Sequence, residues 1–475
     1  MRIFTLSLLS IFILSCSQQV ATDQPDDALG TLMHEFSINK NAAEEFEKGL
    51  LLLHSFEYDD AREAFDLAIA ADSTEMMSYW GKTMTYYKAL WGLQDIDAGR
   101  SVMQQLGPNK EVRLSHAGDE LEKDFWTGLE LLFGEGEFKE RNKEYSTHLG
   151  KLYDKYPGNG EVAAFYALSL LWSDTPDGDN KTELLSAKIA DGILKENPNH
   201  PGAVHYKIHA LDNPALAIEA QFAADLYAKI APDATHALHM PSHIYLALGR
   251  WDDVVSSNEA SYAASIKRIE RKNLGPAARG YHSYAWLHYG YLQQGRYDLA
   301  ASLLTDMYKF ADETPNASAR SYLIGMQNAQ IIECPDWNLE TGPRLEIDVE
   351  DLNISSQAAH SFLCGMNAAN DDDKDALVAE IESLKAKIAV ASLLVGEDGS
   401  AMCSAGTTRY APNKNTILMA ETILSQLQAL SAGLIQDDQS CEAALILATT
   451  KESETEYGSG PPSVALPSFE QYGYW

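Results

Sequence analysis

Eight of the 13 histidines fall between His200 and His288, and six of them stand at repeated offsets. His205 and His239 are 34 residues apart, as are His209 and His243, while His236 and His282 are separated by 46. Residues spaced i, i+4 or i, i+3, i+7 share one face of a helix. His205 with His209, and His236 with His239 and His243, therefore each present their rings in one direction. Neutral imidazole nitrogen is the common protein ligand of Zn, Cu, Ni and Fe, so six converging rings would form a transition-metal site, with Zn or Cu the expected ion. Asp212, three residues after His209, shares that face and is the candidate catalytic acid/base, with a ligand or orienting role as alternatives. Met240 could lend copper a soft sulfur, although packing is the plainer role. Two other readings stay open: contacts to a peptide or small ligand without metal, and polar side chains merely tolerated on a solvent-facing groove. His34, His54, His116, His148 and His360 carry only that incidental reading. The chain has no HExxH, GxSxG or P-loop, so no standard hydrolase or phosphoryl-transfer motif is present.

The elements that position these rings follow from the repeat pattern. From Ala42 the chain reads AAEEFEKGLLLLHSFEYDDAREAFDLAIAADSTE, with Gly49, Tyr58, Ala61, Phe65 and Ala68 at the small and aromatic packing positions of a tetratricopeptide repeat. That pattern predicts pairs of antiparallel helices, each leaving an apolar face that only the next pair covers. Pro198 and Pro232 repeat the 34-residue period, as do Ala203 and Ala237. Gly249 with Trp251, and Gly295 with Tyr297, mark inter-helix turns 46 residues apart, so that repeat carries twelve added residues. The expected fold is an all-α tetratricopeptide-repeat superhelix over residues 39–310, with a more irregular helical part, longer loops and four Cys over 311–475, the array reading as incomplete at Trp475. In such arrays the second, fifth and ninth residues of a repeat's first helix face the concave groove. The resemblance therefore places the six histidines in that groove, and also Tyr289, which could stack on a ligand ring. Pro241 breaks the pattern between His239 and His243, so the helix there either kinks or starts anew.

HYKIHALDNP from His205, HALHMPSHIYLALGRW from His236 and YHSYAW from Tyr281 resemble a group of histidine-rich, exported bacterial tetratricopeptide proteins. The likeness covers about residues 40 to 310 and, more loosely, the element from Pro461 to Gly473. It implies the fold and that the histidines act as a unit, and it names no reaction.

The 36 Lys and Arg stand against 69 Asp and Glu, a net charge of −33, which excludes a nucleic-acid partner and electrostatic docking on anionic lipid. Met1-Arg2 and the apolar run Ile3 to Leu14 read as a secretory signal, removed in the mature protein. Ile13-Leu14-Ser15-Cys16 resembles a lipobox, so residues 1–16 are a lipoprotein leader and Cys16 the lipid-bearing residue. Ser17 resembles the sorting residue of lipoproteins sent to the outer membrane, and residues 17–38 read as a flexible tether. Cys334, Cys364, Cys403 and Cys441 have no CxxC spacing, which leaves disulfides or buried thiols. The sequence thus points to a lipid-anchored binding or scaffold protein with a protein or peptide partner and a metal or ligand site in its groove. The alternatives are a metal-dependent enzyme using the same histidines, and a metal-free scaffold of an outer-membrane assembly such as a glycan-uptake system.

Overall fold

The computed structural model describes residues 29–34, 36–173, 180–314, 316–334, 347–396, 411–456 and 458–475. Cys16, the leader and Cys403 lie outside them. The fold is all-α, a succession of helix pairs interrupted, among the described residues, by one short hairpin, Tyr87–Lys88 with Leu93–Gln94. The first pair, Ala43–His54 and Tyr58–Ala71, closes on the next helix, Met76–Met84, through the tetratricopeptide device. Phe65 is fully buried between two glycines, and a Cβ at Gly49 or Gly81 would lie 2.8 Å or 2.3 Å from its ring. Tyr58, Ala61 and Ala68 are buried in the same seam, as their positions in the repeat pattern predict.

The array continues through Phe138–Lys155 with Gly160–Ser173, Lys181–Glu196 with Pro201–Ala210, and Ala217–Ile230 with the helices after it. Gly249 and Gly295 both sit in inter-helix turns at φ +69, a left-handed backbone that glycine adopts without a Cβ penalty. Beyond Glu333 the helices Ile354–Asn370, Lys374–Ser392 and Lys414–Leu434 enclose a second core around Phe362, Leu377, Ile381 and Leu427. Lys414–Leu434 is long and apolar enough to cross a bilayer by length and composition alone, and half of it is buried in this core.

One expectation needs correction, and one left open is narrowed. The end of the supposed tether is docked: Leu29 is buried, the Thr31 amide donates to the Asn199 carbonyl at 3.0 Å, and the Met33 amide donates to Glu161 at 3.1 Å. Apolar residues at Leu29, Leu32, Met33, Phe36 and Ile38 explain this, because they gain more by covering the array than by staying in water. Disulfides are absent among the described cysteines; Cys334, Cys364 and Cys441 are free thiols, the first and last of them buried.

Candidate metal centre

Pro201–Ala210 starts with proline in its first turn, and His200 caps it by accepting the Ala203 amide on Nδ1 at 3.2 Å. His205 and His209 lie on one face of this helix, and the face is turned inward: His205 is fully buried. His236 belongs to the short helix Thr235–His239, which has no side-chain cap of its own. Glu57 supplies one from the first repeat, accepting the Thr235 hydroxyl at 2.6 Å and the His236 amide at 2.9 Å. Pro241 then starts a separate helix, Pro241–Ala247, so the chain breaks between His239 and His243 as the proline requires.

The six histidines come together as two groups of three. In the first, His205 donates its Nδ1 proton to the His54 carbonyl at 2.7 Å, which leaves Nε2 with a lone pair. That Nε2 stands 3.0 Å from His209 Nε2 and 3.1 Å from His236 Nε2. One lone pair accepts one proton, so hydrogen bonding satisfies only one of these two contacts. In the second group, Asn258 donates to the Val254 carbonyl at 2.8 Å, which turns its Oδ1 toward His239 Nδ1 at 2.7 Å. Asp212 Oδ2 accepts His243 Nδ1 at 2.7 Å. Both rings are thereby locked with the proton on Nδ1, yet His239 Nε2 and His243 Nε2 face each other at 3.1 Å. Between two neutral rings so held the opposed lone pairs repel, and the contact becomes favourable only with a cation between them, either a proton on His243 balanced by Asp212 or a metal ion. Nitrogens bound to one ion at about 2.0–2.1 Å, with angles between 90° and 110°, stand about 2.9–3.4 Å apart. The third member, His282, is exposed, and its Nδ1 is 3.0 Å from the Tyr322 hydroxyl. All three candidate ligand atoms of each group lie within 4.8 Å of one another.

The two groups are contiguous, with ring centroids 6.3 Å apart both for His209 and His243 and for His236 and His239. Burial, reinforced by the neighbouring imidazoles, pushes His209, His236 and His239 well below the ordinary histidine range, and His205 down to about 3. These four rings are therefore neutral at physiological pH, the state in which imidazole binds metal. Aromatic walls close both groups. Phe56, at φ +57, sets its ring 4.3 Å from His205, and Trp286 lies 4.5 Å from His243. A bulky residue in the left-handed region costs energy and persists only where its surroundings impose it.

Asp212 faces His243 rather than open space, which makes it a positioning residue in this geometry; its other oxygen is buried without a partner. Tyr289 does not join the histidines and instead packs edge-on to Trp251 and lines a cavity next to His282. Met240 is fully buried in the core, so its sulfur serves packing.

A third cluster was illegible in the sequence. Glu161, entirely buried, accepts from His54 Nε2 at 2.8 Å and His200 Nε2 at 3.1 Å, while the Tyr206 hydroxyl lies 2.9 Å from His54 Nδ1. Burial alone would raise the pKa of this carboxyl, but charge and hydrogen bonds from the two imidazoles hold it far below the usual carboxylate range. Every donor here has an acceptor, so the cluster is a closed network. It anchors His54, whose carbonyl orients His205. No spacing signal could have found it, because Glu161 is 107 residues from His54.

No protein-family model matches the chain, and no curated protein does. Among solved structures the chain is similar to the crystal structure of the P58(IPK) TPR domain, at 13% identity over 90% of this chain and 98% of that one. The TM-score of 0.20 makes this likeness too loose to bear on fold or function.

Proposed function

We propose that this chain is a helical-repeat metal-binding protein that holds transition-metal ions in two adjacent trihistidine centres, His205/His209/His236 and His239/His243/His282. The observation that carries this reading is the pair of opposed Nε2 atoms of His239 and His243, 3.1 Å apart with both Nδ1 positions already committed. A cation between them turns a repulsion into two bonds. The all-nitrogen donor set suits Zn or Cu. Metal should stabilise the protein by mass action. The expected result is a rise in unfolding temperature with Zn(II) or Cu(II), reversed by a chelator and reduced in His239→Ala/His243→Ala. Equal behaviour with and without metal at micromolar ion would refute the reading.

A catalytic role is the second reading, and the exposure of His282 favours it. Three protein ligands with an open side are what catalytic metal sites keep, and a bound ion would supply Lewis-acid or redox chemistry there. The envelope setting belongs to the same proposal. Cys16 as a lipid anchor at the outer membrane rests on the Ile13-Leu14-Ser15-Cys16 motif. A protein partner rests on the concave surface that stacked helix pairs present. Radiolabelled palmitate incorporation, lost in Cys16→Ala, tests the anchor.

A further inference from the structure

The two trihistidine centres lie as close to each other as ligands within one of them. His209 and His236, which face the same first ion, have ring centroids 6.2 Å apart. Across the divide His209 lies 6.3 Å from His243, and His236 lies 6.3 Å from His239. Two separate edges thus join the centres at the spacing that one ion spans. Short stretches of chain fix both edges. His236 and His239 stand on the single short helix Thr235–His239, one for each centre. Asp212, three residues after His209, holds His243 by the bond to its Nδ1.

Charge is the second observation. Imidazole coordinates as a neutral ligand, and neither trio contains a carboxylate among the described residues. Two divalent ions would therefore bring four positive charges onto uncharged donors. Two carboxylates touch the cluster, and both are engaged elsewhere. Asp212 accepts His243 Nδ1, on the far side of the ring from Nε2, and Glu57 accepts the Thr235 hydroxyl and the His236 amide. Like charges repel strongly where water is excluded, so ions this close need an anion between them. The chain supplies none there, and solution must. The way in is open: His209 and His236 are half-buried and His282 is exposed. It is also narrow, because Phe56 stacks 5.6 Å from His236 and Trp286 packs 4.5 Å from His243. Three histidines leave a tetrahedral ion one position to fill.

We infer that the two trihistidine centres work as one dinuclear centre, bridged by a small anion from solution of the hydroxide or azide class that binds both ions at once. The inference rests on the metal reading above and deepens it. With water as the source the step balances: one water enters the open positions, one proton leaves to solvent, and hydroxide remains with a lone pair toward each ion. Cations on that oxygen make its proton far easier to lose than in bulk water. A lone ion in either trio carries half the charge and takes a terminal ligand instead.

The test loads purified protein with Cu(II), counts copper by elemental analysis, and records the EPR spectrum before and after sodium azide. Two Cu(II) ions that share a bridging atom pair their spins. Wild type should therefore show a spin count at least twofold below its copper content, and anaerobic release of the copper in acid should restore the full signal. Azide, followed by its charge-transfer absorption, should saturate at one per two coppers. His239→Ala/His243→Ala/His282→Ala, left with the first centre, should show one spin and one azide for each copper. The wild-type spectrum decides alone if that variant does not fold. Two coppers per chain with a full spin count, two azides per copper pair, or a lost signal that acid release does not restore would overturn the inference and leave the metal reading standing. Absence of bound copper would end both.

Discussion

Removing the Asp212 carboxylate isolates the orienting part of the second centre. Asp212 is 9% exposed, accepts His243 Nδ1–H at 2.7 Å, and leaves its other oxygen unpartnered. Its one contact with the site is thus the bond that keeps the His243 lone pair on Nε2. In Asp212→Ala the ring is free to change tautomer or turn, and loss of such an outer partner lowers metal affinity by about 10–100-fold, or about 1.4–2.7 kcal/mol. Asp212→Asn keeps an oxygen able to accept the same proton, so its loss should be under about tenfold. The first centre shares no hydrogen bond with Asp212 and should hold its affinity. Chelator competition with Zn(II), resolving two dissociation constants, reads all three effects. The reasoning fails if Asp212→Ala leaves both constants within twofold of wild type, or weakens the two centres equally.

Other expectations follow from the supporting structure. Gly81→Ala forces a methyl to 2.3 Å from the Phe65 ring and should lower stability by about 1–3 kcal/mol, seen as a lower urea midpoint of the metal-free protein. Glu161→Ala leaves His54 and His200 buried without their shared acceptor; a loss of about 3–5 kcal/mol is expected, with the first metal centre weakened more than the second. Burial holds His288 down to about 4, against about 6.5 in the unfolded chain. The unfolded state therefore takes up the proton first, and this contribution is complete above pH 6.5 and declines as pH falls toward 4. The decline approaches about 3 kcal/mol. Urea unfolding of the metal-free protein at pH 7 and pH 4.5 should show it, with a shallower dependence in His288→Gln; an identical dependence in the variant would contradict it.

The histidine faces were legible because a repeat protein places equivalent positions in equivalent directions. The 34-residue offsets of His205/His239 and His209/His243, and the Gly249 and Gly295 turns, needed only helix geometry to interpret. Pro241 was legible as a break for the same local reason. What the sequence hid is whatever depends on contacts between distant repeats. The division into two centres is set by which rings His54, Asn258 and Asp212 orient, and Glu57 caps a helix 178 residues away. His54 looked incidental because its partner Glu161 lies in another repeat. Residues 29–38 looked like a tether because composition favours disorder where the apolar residues among them, Leu29, Leu32, Met33, Phe36 and Ile38, are too few for a core of their own, but enough to cover someone else's.

Metal stoichiometry tests the central claim most directly. Protein produced in a metal-replete periplasm, or reconstituted and desalted, is measured by elemental analysis beside two triple variants, His205→Ala/His209→Ala/His236→Ala and His239→Ala/His243→Ala/His282→Ala. The account predicts two transition-metal ions per chain in the wild type and one in each variant. No bound metal in the wild type after exposure to Zn and Cu, or wild-type content in both variants, would contradict it.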